Sequence, residues 1–163
     1  MEKSIKKILS VDQAAQRAVD LQKKNKTIVL AGGCFDVLHR GHVAFLQKAK
    51  EQGDILLVLL EHDDRIKKWK GPTRPVNNQQ DRAYILAHMT PVDYVVLLPA
   101  VMDNKAYDTL VNQLKPAIIA TTAGDRNRGH KERQAKQIGA RVIDVTPMIE
   151  NQSTTNVLAI LQD

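Results

Sequence analysis

Two histidines three positions apart frame a glycine in Gly33-Cys34-Phe35-Asp36-Val37-Leu38-His39-Arg40-Gly41-His42. An apolar run, Thr27-Ile28-Val29-Leu30-Ala31, precedes this stretch, and an amphipathic segment over 43–50 follows it. That order reads as strand, glycine-bearing turn, helix. Backbone N–H groups at a helix start lack helical partners, and the helix dipole favours an anion there. Imidazole N–H groups aimed at the same spot would donate to phosphate oxygens. Gly41 would let a ligand approach the backbone closely. A lone histidine is more often a surface or core residue, but a pair on the turn after a strand makes His39 and His42 candidate phosphate contacts.

Further candidates follow along the chain. Residues 65–74 carry five cationic side chains in ten positions: Arg65, Lys67, Lys68, Lys70 and Arg74. One reading is a solvated face. The other is a flap that brings Lys68 and Lys70 to the outer phosphates of a triphosphate and neutralises charge on a leaving pyrophosphate. Gly71-Pro72 punctuates a flexible loop. Arg74 and Arg82 are candidates for bidentate phosphate contacts. Gly124-Asp125 follows a short apolar run, and Asp125 is either a turn residue or a ribose ligand. Ser153-Thr154-Thr155 opens a last helix, as an N-cap and as a second anion site. No Ser/His/Asp order or Cys/His pairing suggests a protein nucleophile. Attack by a substrate phosphate on an α-phosphorus needs none, so positioning and charge stabilisation would suffice.

These residues need a frame. Ser10-Val11-Asp12-Gln13 matches a capping box, and a helical apolar period continues to about residue 24. Strands are predicted over 27–31, 55–60, 94–97, 117–120 and 141–144. Helices are predicted over 43–51, 63–69, 80–89, 104–114, 127–138 and 154–161, with Gly139 closing the 127–138 helix. Strands that alternate with helices and are apolar on both faces predict an α/β fold. It is a Rossmann-like, doubly wound parallel sheet of five strands with helices on both faces. Ligands of such sheets sit at the carboxyl ends of the strands. That rule gathers His39, His42, the 61–78 segment, residues 121–125 and residues 151–155 around one crevice.

Composition narrows the function classes. The 163 residues suit a single domain over 1–163. The formal net charge is +6. Two Phe, three Tyr and one Trp are few for base stacking, so a polyanionic small substrate is expected rather than nucleic acid. No apolar run approaches the roughly 20 residues that span a bilayer. One cysteine forms no intrachain disulfide and argues against a Cys-based zinc site, which fits a cytoplasmic location. No protein metal site is read from the sequence.

His39-Arg40-Gly41-His42 and Ser153-Thr154-Thr155 together resemble the cytidylyltransferase-like nucleotidyltransferase superfamily. Within it the chain is most similar to the adenylyltransferase domain of ADP-heptose synthase. The shared stretches include Lys70-Gly71-Pro72-Thr73-Arg74-Pro75-Val76-Asn77, Val92-Asp93-Tyr94-Val95-Val96 and Ser153-Thr154-Thr155-Asn156. The resemblance implies transfer of AMP from ATP to D-glycero-β-D-manno-heptose 1-phosphate with release of pyrophosphate, and Mg²⁺ bound with the triphosphate. It implies that His39 and His42 stabilise the α-phosphate. Lys70 and Lys68 would hold the outer phosphates. Gly33, Cys34, Phe35, Gly41, Gly124, Asp125 and Ser153 to Thr155 would bind the nucleotide. Relatives are commonly dimers, so a homodimer is carried by resemblance alone. Two arginines typical of the glycerol-3-phosphate cytidylyltransferase branch are absent. The heptose enzymes usually read Lys-Gly-Gly-Asp-Tyr where this chain reads Thr122-Ala123-Gly124-Asp125-Arg126. Arg126 then either replaces the lost lysine toward an acceptor phosphate or signals a different acceptor. CTP with an alcohol phosphate, ATP with FMN, and a non-catalytic nucleotide- or nucleic-acid-binding module remain the alternatives.

Overall fold

Apolar runs at β2 (Ile28–Gly33) and β3 (Ile55–Leu60) form two central strands in a computed structural model of the chain, which describes residues 5–147. The other described strands are β1 (Ile8–Leu9), β4 (Tyr94–Leu97), β5 (Ile118–Thr122) and β6 (Arg141–Thr146). All six form one parallel sheet in the order β1-β4-β3-β2-β5-β6. The chain winds outward in both directions from β2. The switch point therefore lies between β2 and β5, where the carboxyl ends of an open sheet leave a crevice.

Both faces are covered, which explains why β2 and β3 read as continuous apolar runs. Leu30, Leu57, Leu59 and Ile119 pack on one face against α1 (Val11–Lys23), α5 (Asn104–Leu114) and α6 (Arg128–Ile138). Val29, Ala31, Leu56, Val58 and Leu60 pack on the other against α2 (Arg40–Lys50) and α4 (Gln79–Ala87). The short helix α3 (Asp63–Lys70) follows β3 and buries Ile66. Removing a side chain such as Leu56 would cost about 2–5 kcal/mol.

The helix starts follow local chemistry. Ser10 and Gln13 make both bonds of the capping box. Asn78 caps α4 and Asp103 caps α5. Gly139 ends α6 at φ +72°. Lys50, at the end of α2, bonds Asp93 at 2.6 Å, and the same carboxylate accepts from Leu56 N–H at 2.7 Å. The far end of α2 is thereby tied to the start of β3, which holds its opposite end against the crevice.

The structure corrects the expected sheet. Six described strands replace five, because Ile8 and Leu9 pair with Val95 and Val96 at the edge. Two residues in a lysine-rich stretch carry no period, so sequence patterning missed them. Helix α2 begins at Arg40 rather than 43, with His39 as its N-cap. Strands β5 and β6 run two residues further than predicted, because each completes the other's hydrogen bonds. The predicted last helix lies outside the described residues.

Candidate active site

His39 and His42 stack at the start of α2, with ring centroids 3.9 Å apart. His39 Nδ1 accepts from Gly41 N–H at 3.1 Å. A neutral His39 therefore carries its hydrogen on Nε2. Burial lowers the His39 pKa. The His42 pKa is pushed down to about 4, chiefly by burial, and then because a proton there would face a protonated His39 and the Lys70 charge. Both rings are accordingly neutral at pH 7 and act as N–H donors rather than as cations. His42 Nδ1 is buried and has no hydrogen-bond partner among the described residues. Lys70 ends α3 and is exposed, and its field also reaches Cys34, whose thiol is raised by burial. His39, His42, Gly41, Lys70 and the Cys34 turn thus share one region.

The turn that presents this pair is strained and braced. Phe35 sits at φ +45°, an uncommon conformation for a residue with a side chain. Its ring lies 5.2 Å from that of His42. A Cβ on Gly33 would meet that ring at 3.0 Å, so Gly33 must lack a side chain for Phe35 to reach His42. Asp36 anchors the turn to the loop after α3. It accepts from Arg74 Nε at 2.5 Å, Val76 N–H at 2.8 Å and Asn77 N–H at 3.1 Å. Arg82 adds a second brace, donating to Cys34 O at 2.5 Å, Glu61 O at 2.9 Å, Asn77 O at 2.9 Å and Asp63 Oδ1 at 2.5 Å.

Across the sheet ends lies a cavity of about 340 Å³, with Gly32 and Gly33 in its wall. Its floor is apolar, with Leu30, Leu59 and Ile119. Its upper wall carries Glu61, Arg65, Trp69 and Tyr107. The Arg65 guanidinium lies over both rings, 4.4 Å from Trp69 and 4.9 Å from Tyr107. Tyr107 O–H donates to Glu61 Oε1 at 2.5 Å. Burial raises the Glu61 pKa, opposed by the Tyr107 bond and by Arg65 and Arg82.

Several sequence-predicted residues have other work. Arg82 has no exposed side-chain surface and bonds four groups of the protein, so it braces loops and does not reach an acceptor. Arg74 is buried against Asp36. Phe35 is buried beneath His42 instead of lining an open pocket. Asp125 lines the cavity but is bonded by Thr121 Oγ1 at 2.7 Å, Lys131 Nζ at 2.6 Å and Asn127 N–H at 2.9 Å. Burial would raise its pKa, but these bonds outweigh it and hold the carboxyl below its ordinary value. Gly124 provides the φ of +78° that the turn needs. Lys68 and Arg126 are exposed. Ser153, Thr154 and Thr155 lie outside the described residues.

Sequence reasoning did not single out Asp36, Glu61, Trp69 or Tyr107. Asp36 sits within the histidine signature, and Glu61 directly follows a buried strand at its carboxyl end; those positions were the available signals. Nothing local marks Tyr107. Among the described residues no three His, Cys, Asp or Glu side chains cluster to hold a metal, and no helix is long and apolar enough to cross a membrane.

A family model described as cytidylyltransferase-like matches residues 30–157. The bifunctional protein HldE of Nitratiruptor sp. is 42% identical over 139 residues, which is 85% of this chain and 28% of that protein. HldE of Helicobacter pylori strain J99 is 38% identical over 142 residues, 87% of this chain and 28% of that protein. The chain therefore spans less than a third of the length of these relatives. Two solved structures share the fold. One is the lipopolysaccharide core biosynthesis protein of Thermoplasma volcanium, with a TM-score of 0.59 and 23% identity over 76% of this chain and 97% of that one. The other is pantoate–β-alanine ligase of Francisella tularensis, with a TM-score of 0.62 and 15% identity over 95% of this chain and 76% of that one.

Proposed function

The chain belongs to the cytidylyltransferase-like family, and from that membership we propose that it is a nucleotidyltransferase moving AMP from ATP onto a sugar 1-phosphate. D-glycero-β-D-manno-heptose 1-phosphate is the acceptor of first choice. The observation that carries this reading is the stacked, neutral His39–His42 pair at a helix start, within reach of the Lys70 charge. The HldE relatives and the sequence resemblance to the heptose enzymes support the acceptor class.

In this mechanism an oxygen of the acceptor phosphate attacks the α-phosphorus of ATP. A new P–O bond forms as the bond to pyrophosphate breaks. The acceptor is anionic at pH 7, so no base has to take a proton. His39 Nε2–H and the N–H of His42 donate to the α-phosphate oxygens as charge builds on them. Lys70, with Lys68, neutralises the departing pyrophosphate. Ser153, Thr154 and Thr155 hold phosphate through hydroxyl and backbone groups. Mg²⁺ enters with ATP as part of the substrate. Asp36 is unsuited to hold it, since Arg74, Val76 and Asn77 already occupy both of its oxygens. Cytoplasmic action and a homodimer belong to the same reading.

The test is pyrophosphate release with ATP or CTP, each crossed with heptose 1-phosphate, glycerol 3-phosphate and FMN. Turnover with ATP and heptose 1-phosphate alone is the expected result. Turnover with another pair would replace the substrates and keep the chemistry. Nucleotide binding without turnover for any pair would refute transfer to these acceptors.

A further inference from the structure

Helix α3 is eight residues long, and Ile66 is its single buried side chain. A helix that short does not hold its shape unaided. Its first turn is tied down. His62 Nδ1 accepts from Asp64 N–H at 3.2 Å, and Asp63 accepts from Arg82 Nη2 at 2.5 Å and from Gln79 N–H at 3.2 Å. Its last turn, which carries Lys67, Lys68 and Lys70, runs into Gly71 at φ +97°, where a Cβ would meet nothing within 4 Å. Arg65 joins that turn to the body. Its Nη1 donates to the Met102 carbonyl, in the loop before α5, and its Nε faces Glu61 Oε2 at 3.5 Å. Its guanidinium lies 4.4 Å from the Trp69 ring, one turn on in α3, and 4.9 Å from the Tyr107 ring in α5. Arg65 is thus committed to the protein on two edges and over two rings.

We propose that Arg65 is a positioning residue: it fastens the last turn of α3 to α5 and to the loop before it, and so sets Lys70 within reach of the His39–His42 pair before ATP binds. The cationic stretch is then a preset arm rather than a free flap. A flat guanidinium lies over both rings while its edges reach Glu61 and Met102; an ammonium has no such face. The Met102 bond and the two rings carry most of the fastening, because the Glu61 contact lacks a hydrogen bond. A cation already placed at the departing pyrophosphate needs no reorganisation as charge develops, whereas one on a loose turn has to be ordered first. The charge of Lys70 acts on both His42 and Cys34, so in this arrangement the lysine end of α3 lies near the signature turn.

This inference rests on the transferase reading for the role of Lys70, and Trp69 gives a readout that does not. Trp69 is the only tryptophan and is 52% exposed, so its fluorescence anisotropy reports how firmly the last turn of α3 is held. Arg65→Met should lower that anisotropy while the thermal melt still shows a folded protein. Activity is then read as a cycle of wild type, Arg65→Met, Lys70→Ala and the double variant. Arg65→Met should lower kcat about tenfold or more with Lys70 present, since a small misplacement of a stabilising group is costly. In the Lys70→Ala background the same change should lower kcat by less than about threefold, because the residue it positions is gone. The KM for heptose 1-phosphate should stay within about twofold of wild type. If Arg65→Met fails to fold, Arg65→Lys, which keeps a charge facing Glu61 and loses the flat stack, carries the same cycle.

Equal losses in both backgrounds would overturn the inference, as would an unchanged Trp69 anisotropy. The midpoint for a non-hydrolysable ATP analogue, measured on the same proteins, separates the two readings. Wild-type turnover with additive losses sinks the positioning role alone. No pyrophosphate release in wild type, with an analogue midpoint that Arg65→Met raises only when Lys70 is present, supports the positioning role and sinks the transfer reaction. Neither analogue binding nor turnover in wild type sinks both.

Discussion

Asp36, which is buried, and Glu61, which is half-buried, are carboxylates just beyond the ends of neighbouring strands, yet their bonding differs. Asp36, 2% exposed, accepts from Arg74, Val76 and Asn77 and has no oxygen left over. Glu61, with a side chain 12% exposed, has one oxygen held by the Tyr107 hydroxyl and the other facing the Arg65 guanidinium at 3.5 Å, an ion pair without a hydrogen bond. Burial alone therefore does not mark a functional carboxylate. A carboxylate whose two oxygens are both taken by protein donors, as in Asp36, can only hold the protein together.

The largest expected effect tests the saturated side. Asp36→Ala leaves Arg74 buried without its partner and should cost about 3–5 kcal/mol of stability, read from urea denaturation. A loss below 1 kcal/mol would show that the clamp is not structural, and the contrast with Glu61 would fall.

His42→Ala should lower kcat about 10²–10³-fold with the fold intact, the scale of losing one positioned donor. Near-normal turnover in a folded His42→Ala protein would remove the histidine pair from the chemistry and leave Asp36 clamping a turn of no catalytic use.

A third expectation concerns pH. His42 has a folded pKa of about 4, below its ordinary value of 6.5. As pH falls through 6.5 the unfolded chain takes the proton first, so stability is full above 6.5 and declines toward pH 4. The part due to His42 is on the order of 3 kcal/mol at most. Denaturation curves at pH 7, 5.5 and 4.5 should show a steeper loss for wild type than for His42→Ala. Parallel losses would mean that the ring is not buried neutral.

The smallest effect sharpens the comparison most. The Glu61 pKa is raised by burial, so stability falls as pH rises through its ordinary range toward its folded value, and the charged form is unfavourable at pH 7. Glu61→Gln should therefore be at least as stable as wild type at pH 7 by thermal melting. A clear drop in Tm would make Glu61 a structural group like Asp36.

The sequence determined what short-range chemistry controls. The Ser10 capping box, the Gly139 stop and the apolar runs of β2 and β3 each depend on hydrogen bonds or burial patterns within a few residues. The placement of His39 and His42 at a helix start was legible for the same reason. Tertiary structure decided the rest. The bond between Tyr107 and Glu61 joins positions 46 residues apart, and Arg74 reaches Asp36 across 38. Phosphate contacts by Arg74 and Arg82 were a reasonable expectation for their type, but the loops that they brace meet only once β2 and β3 lie side by side. The edge strand β1 is two residues long and is defined by its partner β4 alone. Pairings of this kind carry no local period. They depend on which strand ends the winding order brings together, and that order is a property of the whole sheet.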